Sequence, residues 1–376
     1  MPAVKQLLRD LIALPSVNPA FTHRDDPCSG ESRVASYLAK LCGKEGISFR
    51  MHEALPGRSN LIASLAPKSR RKRTVLLAPH LDTVSVSDPG QLIPRSRGGR
   101  IHGRGACDTK GSVAAMFTAF LAMARGSRRP ANTEIVFAGL VDEENGQAGS
   151  RSLVKSGFQA DLALVGEPTL LRAVTAHKGD LWLKIRTQGR AAHSSQPQHG
   201  DNAIARMARV VSMLEGLYAK SLRKHRHPLL GCATVNVGMI QGGKQPNIVP
   251  DACEIAVDRR TLPGETDARV MREISRLLRT NGCQVQMEDW KGAPSLAMET
   301  DPTLPDVRRL MKLTNQRMAM GVHYFSDAGV LAAGGVPSVV IGPGDIAQAH
   351  TVDEWIELEQ LETGARLFGR FLEGLE

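Results

Sequence analysis

The stretch Thr74-Val75-Leu76-Leu77-Ala78-Pro79-His80-Leu81-Asp82 decides the fold. An unbroken apolar run reads as a buried strand, and its polar residues arrive only where the run ends. The same arrangement recurs downstream. Asp142-Glu143-Glu144 closes Ile135-Val136-Phe137-Ala138-Gly139-Leu140-Val141, and Glu167 ends Leu162-Ala163-Leu164-Val165-Gly166. Asp108 lies in the glycine-rich stretch Gly103-Arg104-Gly105-Ala106-Cys107-Asp108-Thr109-Lys110-Gly111, and His350 follows a Gly/Pro loop. Open α/β sheets gather ligands outside the carboxyl ends of their strands. Two histidines and several carboxylates at such positions read as a metal site suited to hydrolysis.

The surrounding elements set the fold class. Residues 47–53, 61–65, 74–78, 134–141 and 160–165 read as strands, and 4–13, 31–44, 109–124 and 150–155 as helices. Strands alternating with helices imply an α/β domain with a mostly parallel sheet and helices on both faces. The pattern changes near His177-Lys178-Gly179. From there the order is strand 181–187, helix 202–218, strands 233–240 and 253–259, helix 267–280 and strand 284–288. That order is ferredoxin-like. Residues 178–292 are therefore expected to form an inserted α+β domain, with 1–177 and 293–376 forming the metal-binding domain. The α/β pattern resumes with helix 304–315, strand 338–341 and a final helix 355–373.

Composition narrows the class. A chain of 376 residues favours two domains. Hydrophobic content of 42% and charged content of 23% suit a globular protein, and the 4% of aromatics makes the core aliphatic. The net charge of +10 comes in part from Ser69-Arg70-Arg71-Lys72-Arg73 and Arg223-Lys224-His225-Arg226-His227. No aromatic residues interleave with these clusters, so they read as solvated loops and helix faces, with no nucleic-acid partner expected. The six cysteines lack CxxC spacing, which argues for free thiols in a reducing compartment. The charge-broken N-terminal segment reads as neither a signal peptide nor a membrane span, so a cytoplasmic protein with no membrane partner is expected.

The chemistry of the strand ends is specific. His80 has one ring nitrogen for a metal, and Asp82, two residues on, is placed to accept the other ring N–H. Adjacent Glu143 and Glu144 repel each other unless something positive neutralises them. Their side chains diverge, so one suits a metal and the other a reacting water. Asp108 directly precedes a helix and also suits a capping role. Cys107 has neighbours better matched to oxygen and nitrogen ligands than to thiol chemistry.

With these motifs in view, the chain resembles the dinuclear zinc aminoacylase and carboxypeptidase family. That family includes acetylornithine deacetylase, succinyl-diaminopimelate desuccinylase and the glutamate carboxypeptidases. The resemblance runs over nearly the whole chain. It rests on Ala78-Pro79-His80-Leu81-Asp82-Thr83-Val84, the Gly103 to Gly111 stretch, Asp142-Glu143-Glu144, Gly166-Glu167-Pro168-Thr169, and Gly342-Pro343-Gly344 through His350. It implies that Asp108 bridges two divalent metals. His80 and Glu167 complete one, and Glu144 and His350 the other. It also implies Glu143 as general base, Asp82 as the partner of His80, and a cis peptide after Asp108. Zn²⁺ suits this ligand set, with Co²⁺ or Mn²⁺ as substitutes.

In the inserted domain, Gly189-Arg190-Ala191-Ala192-His193-Ser194-Ser195 resembles the loop whose histidine reaches a partner subunit's site. This implies an oxyanion-stabilising His193, and a homodimer in which the inserted domain also acts as a lid. Gln245-Pro246-Asn247-Ile248-Val249-Pro250 and Asp258-Arg259-Arg260-Thr261 match segments that bind the substrate carboxylate. Asn247 and Arg260 are the expected contacts, with Arg259 open as the alternative. Gly321-Val322-His323-Tyr324-Phe325-Ser326-Asp327-Ala328-Gly329 departs from the glycine-rich loop of the desuccinylases. His323, Tyr324 and Asp327 either alter acyl selectivity or pack the loop. The expected activity is metal-dependent hydrolysis of the amide bond of an N-acyl amino acid or small peptide with a free carboxylate. A dipeptidase, a glutamate-type carboxypeptidase and a non-catalytic binding protein on the same scaffold are the alternatives.

Overall fold

Strand Arg73–Pro79 has parallel neighbours on both sides, Thr133–Gly139 and Leu162–Gly166, in the computed structural model. The structure describes residues 3–23, 26–126 and 129–376. Ser338–Val340 extends the parallel part beside Leu162–Gly166. On the other flank Arg58–Leu65 and Ser48–Leu55 add antiparallel strands. A strand covered on both faces has no solvent side, so Thr74 to Pro79 are all buried.

Alternate residues face opposite layers. Val75, Leu77, Ile135, Phe137 and Leu164 join helices Val4–Ile12, Ser32–Lys44, Lys110–Arg125 and Leu358–Glu373 in one core. Helix Lys110–Arg125 is buried almost all round, as its alanine-rich sequence permits. Phe117 packs edge-on to Phe137 with centroids 5.0 Å apart. On the opposite face, helices Ala148–Lys155 and Asp327–Ala333 pack against each other and against the sheet.

The final helix begins later than its sequence suggests. Trp355–Glu357 is a strand antiparallel to Arg100–His102, which pairs in turn with Arg95–Arg97. Ile356 lies opposite Ile101, and both are buried, so pairing overrides local helix preference there. Helix Leu358–Glu373 follows.

The chain divides into two compact units: Met1–Thr175 with Glu299–Met320 and Ser326–Glu376, and Ala176–Met298 with Gly321–Phe325. The second unit thus runs a few residues beyond 178–292 and recruits a short later segment. Its strand–helix order is the one read from the sequence. The sheet order is Thr234–Gly242, Ala252–Thr261, Gly179–Gln188, Gln286–Asp289, with every pairing antiparallel. Leu181, Leu183 and Ile185 point into a core with Met207, Val210, Val270 and Ile274. The helix read over 202–218 is Ala203–Ser212 followed by a π-helical segment, Met213–Tyr218.

Candidate metal centre

Sheet register brings the chemical residues together. Pro79 lies opposite Gly166, and His80 bridges to Leu140. Neighbouring strands run about 4.8 Å apart, so His80, Glu143-Glu144 and Glu167 emerge side by side at one end of the sheet. Asp108 arrives from the glycine-rich loop, where Gly105 takes φ 81°, a left-handed conformation suited to glycine. The Asp108–Thr109 peptide is cis. His350, at φ 62°, closes the group from the loop before Trp355–Glu357.

Two clusters result, and they share Asp108. His80 Nε2 lies 3.2 Å from Asp108 Oδ1 and 3.9 Å from Glu167 Oε1. His350 Nε2 lies 3.3 Å from Asp108 Oδ2 and 3.1 Å from Glu144 Oε2. Ligand atoms about 2.0–2.1 Å from a tetrahedral ion stand about 3.3 Å from one another. The three separations of 3.1–3.3 Å match the edges of such a coordination polyhedron, and the His80–Glu167 separation is longer. In both His80–Asp108–Glu167 and Asp108–Glu144–His350, the ligand atoms lie within 4.8 Å of one another.

The hydrogen bonds around the clusters leave room for cations. His80 Nδ1 faces the Asp82 main-chain carbonyl at 3.0 Å and the Asp82 carboxylate at 3.4 Å. Both are acceptors, so Nδ1 carries a proton, and in the neutral ring Nε2 offers its lone pair to the cluster. Glu144 Oε1 and Glu167 Oε1 are buried without a hydrogen-bond donor. A buried carboxylate oxygen with no donor is costly unless a positive charge faces it. A divalent cation at each triad would meet that demand.

The titration behaviour agrees. Burial works against a charged His80, yet hydrogen bonds to Asp108 and Asp82 and the Glu167 charge hold its pKa well above the ordinary value. Hydrogen bonds to Asp108 and Glu144 lift His350 to about 10. Burial drives up the carboxyls of Glu143, Glu144 and Glu167. The charge of Glu167 adds to the shift at Glu143, and that of Asp108 to the shifts at the other two. Protons and cations compete for such sites.

Asp82 does more than face His80. Its Oδ1 accepts the backbone N–H of Glu143 and its Oδ2 that of Glu144, each at 3.1 Å, and Asn18 Nδ2 donates to Oδ2 at 2.7 Å. Behind it, Arg58 pairs with Glu31 at 2.5 Å and with Asp142 at 2.9 Å. Glu143 itself is buried and belongs to neither triad. Cys107 is also buried. It donates to the Asp345 carbonyl, and burial pushes its thiol well up, which makes it a poor nucleophile.

His193, Asn247 and Arg260 lie in the second unit. His193 is exposed, and its Nδ1 lies 2.7 Å from Ser195 Oγ. Its strand-like bridge to Ile248 places the Asn247 turn alongside, and Ser194 N–H donates to the Asn247 carbonyl at 3.0 Å. The two arginines face opposite sides of strand Ala252–Thr261. Arg259 is fully buried, held by Glu265 at 2.6 Å and by the Tyr218 hydroxyl at 3.1 Å. Arg260 is partly exposed and pairs with Asp258 at 3.1 Å. Arg259 is therefore committed to the core.

Asp327 opens helix Asp327–Ala333 in the first unit, buried, and accepts a 2.6 Å bond from Ser150 Oγ. Burial raises its carboxyl to about 7. Reading the motifs did not reveal Asn18, Glu31, Arg58 or Glu354 as supports. Each is a polar residue remote in sequence from what it holds, and its burial is visible only in three dimensions.

The model of peptidase family M20/M25/M40 matches residues 76–374. The acetylornithine deacetylase of Proteus mirabilis (strain HI4320) is 30% identical, over 99% of this chain and 97% of its own length. The acetylornithine deacetylase of Myxococcus xanthus is 32% identical over 80% of both chains. Among solved structures, an M20 family metallo-carboxypeptidase from Sulfolobus solfataricus superposes with a TM-score of 0.79 at 18% identity, covering 99% of both chains. Aminopeptidase PepT from Bacillus cereus gives 0.78 at 22% identity, covering 98% of this chain and 97% of its own.

Proposed function

The chain belongs to peptidase family M20/M25/M40, and on that footing we propose a deacylase of N-acyl amino acids built on two zinc ions. The broader activity is metal-dependent hydrolysis of an amide bond in an N-acyl amino acid or small peptide. The observation that carries the reading is the pair of histidine–carboxylate triads sharing Asp108, with Glu143 left over beside them. The relatives at 30–32% identity favour a deacylase over a dipeptidase. The peptidase structures, all under 25% identical, speak to the fold alone.

In this reading His80, Asp108 and Glu167 hold one cation, and Asp108, Glu144 and His350 the other. When bound, the cations supply Lewis acidity and a water that loses its proton near neutral pH. Neutral imidazole with carboxylates suits Zn²⁺, with Co²⁺ or Mn²⁺ as substitutes. Glu143 takes the proton from water at its carboxylate and returns it to the leaving amine nitrogen. Asp82 keeps that carboxylate in place through the backbone. Arg260 and Asn247 take the substrate carboxylate, for which a guanidinium fork is matched. His193 stabilises the oxyanion in a partner subunit's site.

A homodimer through the second unit draws support from its edge strand. Thr234–Gly242 has a sheet neighbour on one side only among the described residues, and exposes Met239 and Ile240 at 63% and 60%. A cytoplasmic setting draws support from six cysteines, none in a disulfide. No helix among the described residues is long and apolar enough to cross a membrane.

The test is a metal assay of the purified protein alongside N-acetyl and N-succinyl amino acids set against dipeptides. Two equivalents of zinc and faster turnover of the acyl amino acids are expected. Faster turnover of dipeptides would move the assignment to a dipeptidase, and metal-independent hydrolysis would end it.

A further inference from the structure

Glu354 stands four residues after His350, on the segment leading into strand Trp355–Glu357, and is 2% exposed. Its Oε1 accepts the backbone N–H groups of Cys107 at 2.8 Å and Asp108 at 2.9 Å. Its Oε2 accepts the N–H of Gly105 at 2.9 Å and Nη1 of Arg104 at 2.8 Å. The main chain repeats the contact, with Gly103 N–H donating to the Glu354 carbonyl at 3.0 Å. Four donors occupy the roughly four acceptor positions of a carboxylate. Glu354 is therefore saturated and has no lone pair left for a metal.

The clasp lies just beyond the short ladder of Arg100–His102 with Trp355–Glu357, where the two segments leave the sheet as loops. One delivers Asp108 and the other His350, and both are ligands of the second triad. In the first triad, His80 and Glu167 follow strands Arg73–Pro79 and Leu162–Gly166, which are hydrogen-bonded directly to each other. Their spacing is set by the ladder and needs no clasp. Beyond the Arg100–His102 ladder the two loops are held by Cys107 Sγ, which donates to the Asp345 carbonyl at 3.2 Å, and by Glu354, which alone of the two holds the N–H of Asp108 itself.

We propose that Glu354 is a positioning residue that sets the spacing of Asp108 and His350, and through it the affinity of the second metal position. The first position, His80–Asp108–Glu167, shares Asp108 but keeps its other two residues on the ladder, and depends on it less. The inference rests on the two-cation reading above. A merely structural role predicts something else: a lower melting temperature, or equal weakening of both positions.

Zinc titration of the metal-free full-length protein by calorimetry separates these cases. The wild type is expected to bind two ions. In Glu354→Gln, which removes acceptor capacity at constant size, one of the two affinities stays within about threefold while the other falls about tenfold or more, the scale seen for groups that orient ligands. Asp353→Asn is the control. Asp353 is on the same segment, its side chain is 84% exposed, and it pairs with His102 at 3.0 Å. Both of its affinities should match the wild type. Equal weakening of both sites in Glu354→Gln, or no weakening, overturns the proposal. A wild type that binds fewer than two ions removes the two-cation reading itself, and this inference with it. If Glu354→Gln does not accumulate as folded protein, Glu354→Asp keeps the charge on a shorter stem. It is expected to show the same selective loss at the second position, and equal losses there count against the proposal.

Discussion

The carboxylate of Asp82 accepts the backbone N–H of Glu143 at 3.1 Å, so the residue that faces His80 also holds the neighbouring strand end. Its second oxygen does the same for Glu144. One buried side chain thus couples a residue of the first triad, a residue of the second and the proposed general base. Asp82→Ala leaves these buried donors unpaired, at about 1–3 kcal/mol each. Zinc affinity is expected to fall about 10–100-fold, with kcat falling as well. Asp82→Asn keeps one carbonyl acceptor and should lose less. Metal titration with steady-state kinetics checks the order, and an Asp82→Ala protein with wild-type affinity and turnover would refute it.

Glu143→Ala removes the proposed proton acceptor and spares both triads. The expected result is two bound zinc ions with kcat lowered about 10²–10⁴-fold, the usual contribution of general acid–base catalysis. Loss of zinc in step with activity would make Glu143 a ligand.

His193→Ala should lower kcat at unchanged zinc content. Mixed dimers of His193→Ala and Glu143→Ala subunits contain one site with both wild-type residues if His193 acts across the dimer. Activity near half the wild-type value per mixed dimer is expected, and none if the histidine serves its own subunit.

His177 makes folding stability depend on pH. Its Nδ1 faces the Lys178 carbonyl at 2.9 Å, while Nε2 is buried without a partner, and burial lowers its pKa to about 4. The unfolded chain takes up this proton near pH 6.5, the folded chain only near 4. The folded state is therefore disfavoured progressively as the pH falls from about 6.5 to 4, by about 3 kcal/mol in full. Above 6.5 the contribution is constant. Urea unfolding of wild type and His177→Leu across this window isolates the effect, since the other titrating groups are common to both. Identical slopes would show that His177 contributes none of it.

Metal removal should destabilise the first unit, because three ligand carboxylates then share one buried space. Zinc at one hundred times its dissociation constant adds about 2.7 kcal/mol per site, read as a drop in Tm on chelation. Glu167→Gln should weaken zinc binding and raise the Tm of the metal-free protein, because burial and the Asp108 charge both oppose the Glu167 carboxylate. A lower metal-free Tm would show that its charge is already compensated.

Much of the first unit was legible along the chain. Apolar runs ending in acidic or imidazole residues announce both the buried strands and the strand-end members of the two triads, since hydrophobic periodicity and donor chemistry are local properties. The ferredoxin-like order of the second unit was legible for the same reason. Other features had no local signal. Arg259 and Arg260 are adjacent and chemically alike, and only the register of strand Ala252–Thr261 sends one into the core beside Glu265 and leaves the other partly exposed. Trp355-Ile356-Glu357 reads as helix until Ile101 is placed opposite Ile356. Glu354 looks like any acidic residue near a helix, and becomes a clasp only when a loop some 250 residues earlier turns four donors toward it. Sequence determined which residues have ligand chemistry, because that chemistry resides in each side chain. Tertiary structure decided which polar groups are buried and what they hold, because burial and hydrogen bonding belong to pairs of residues that the chain brings together only on folding.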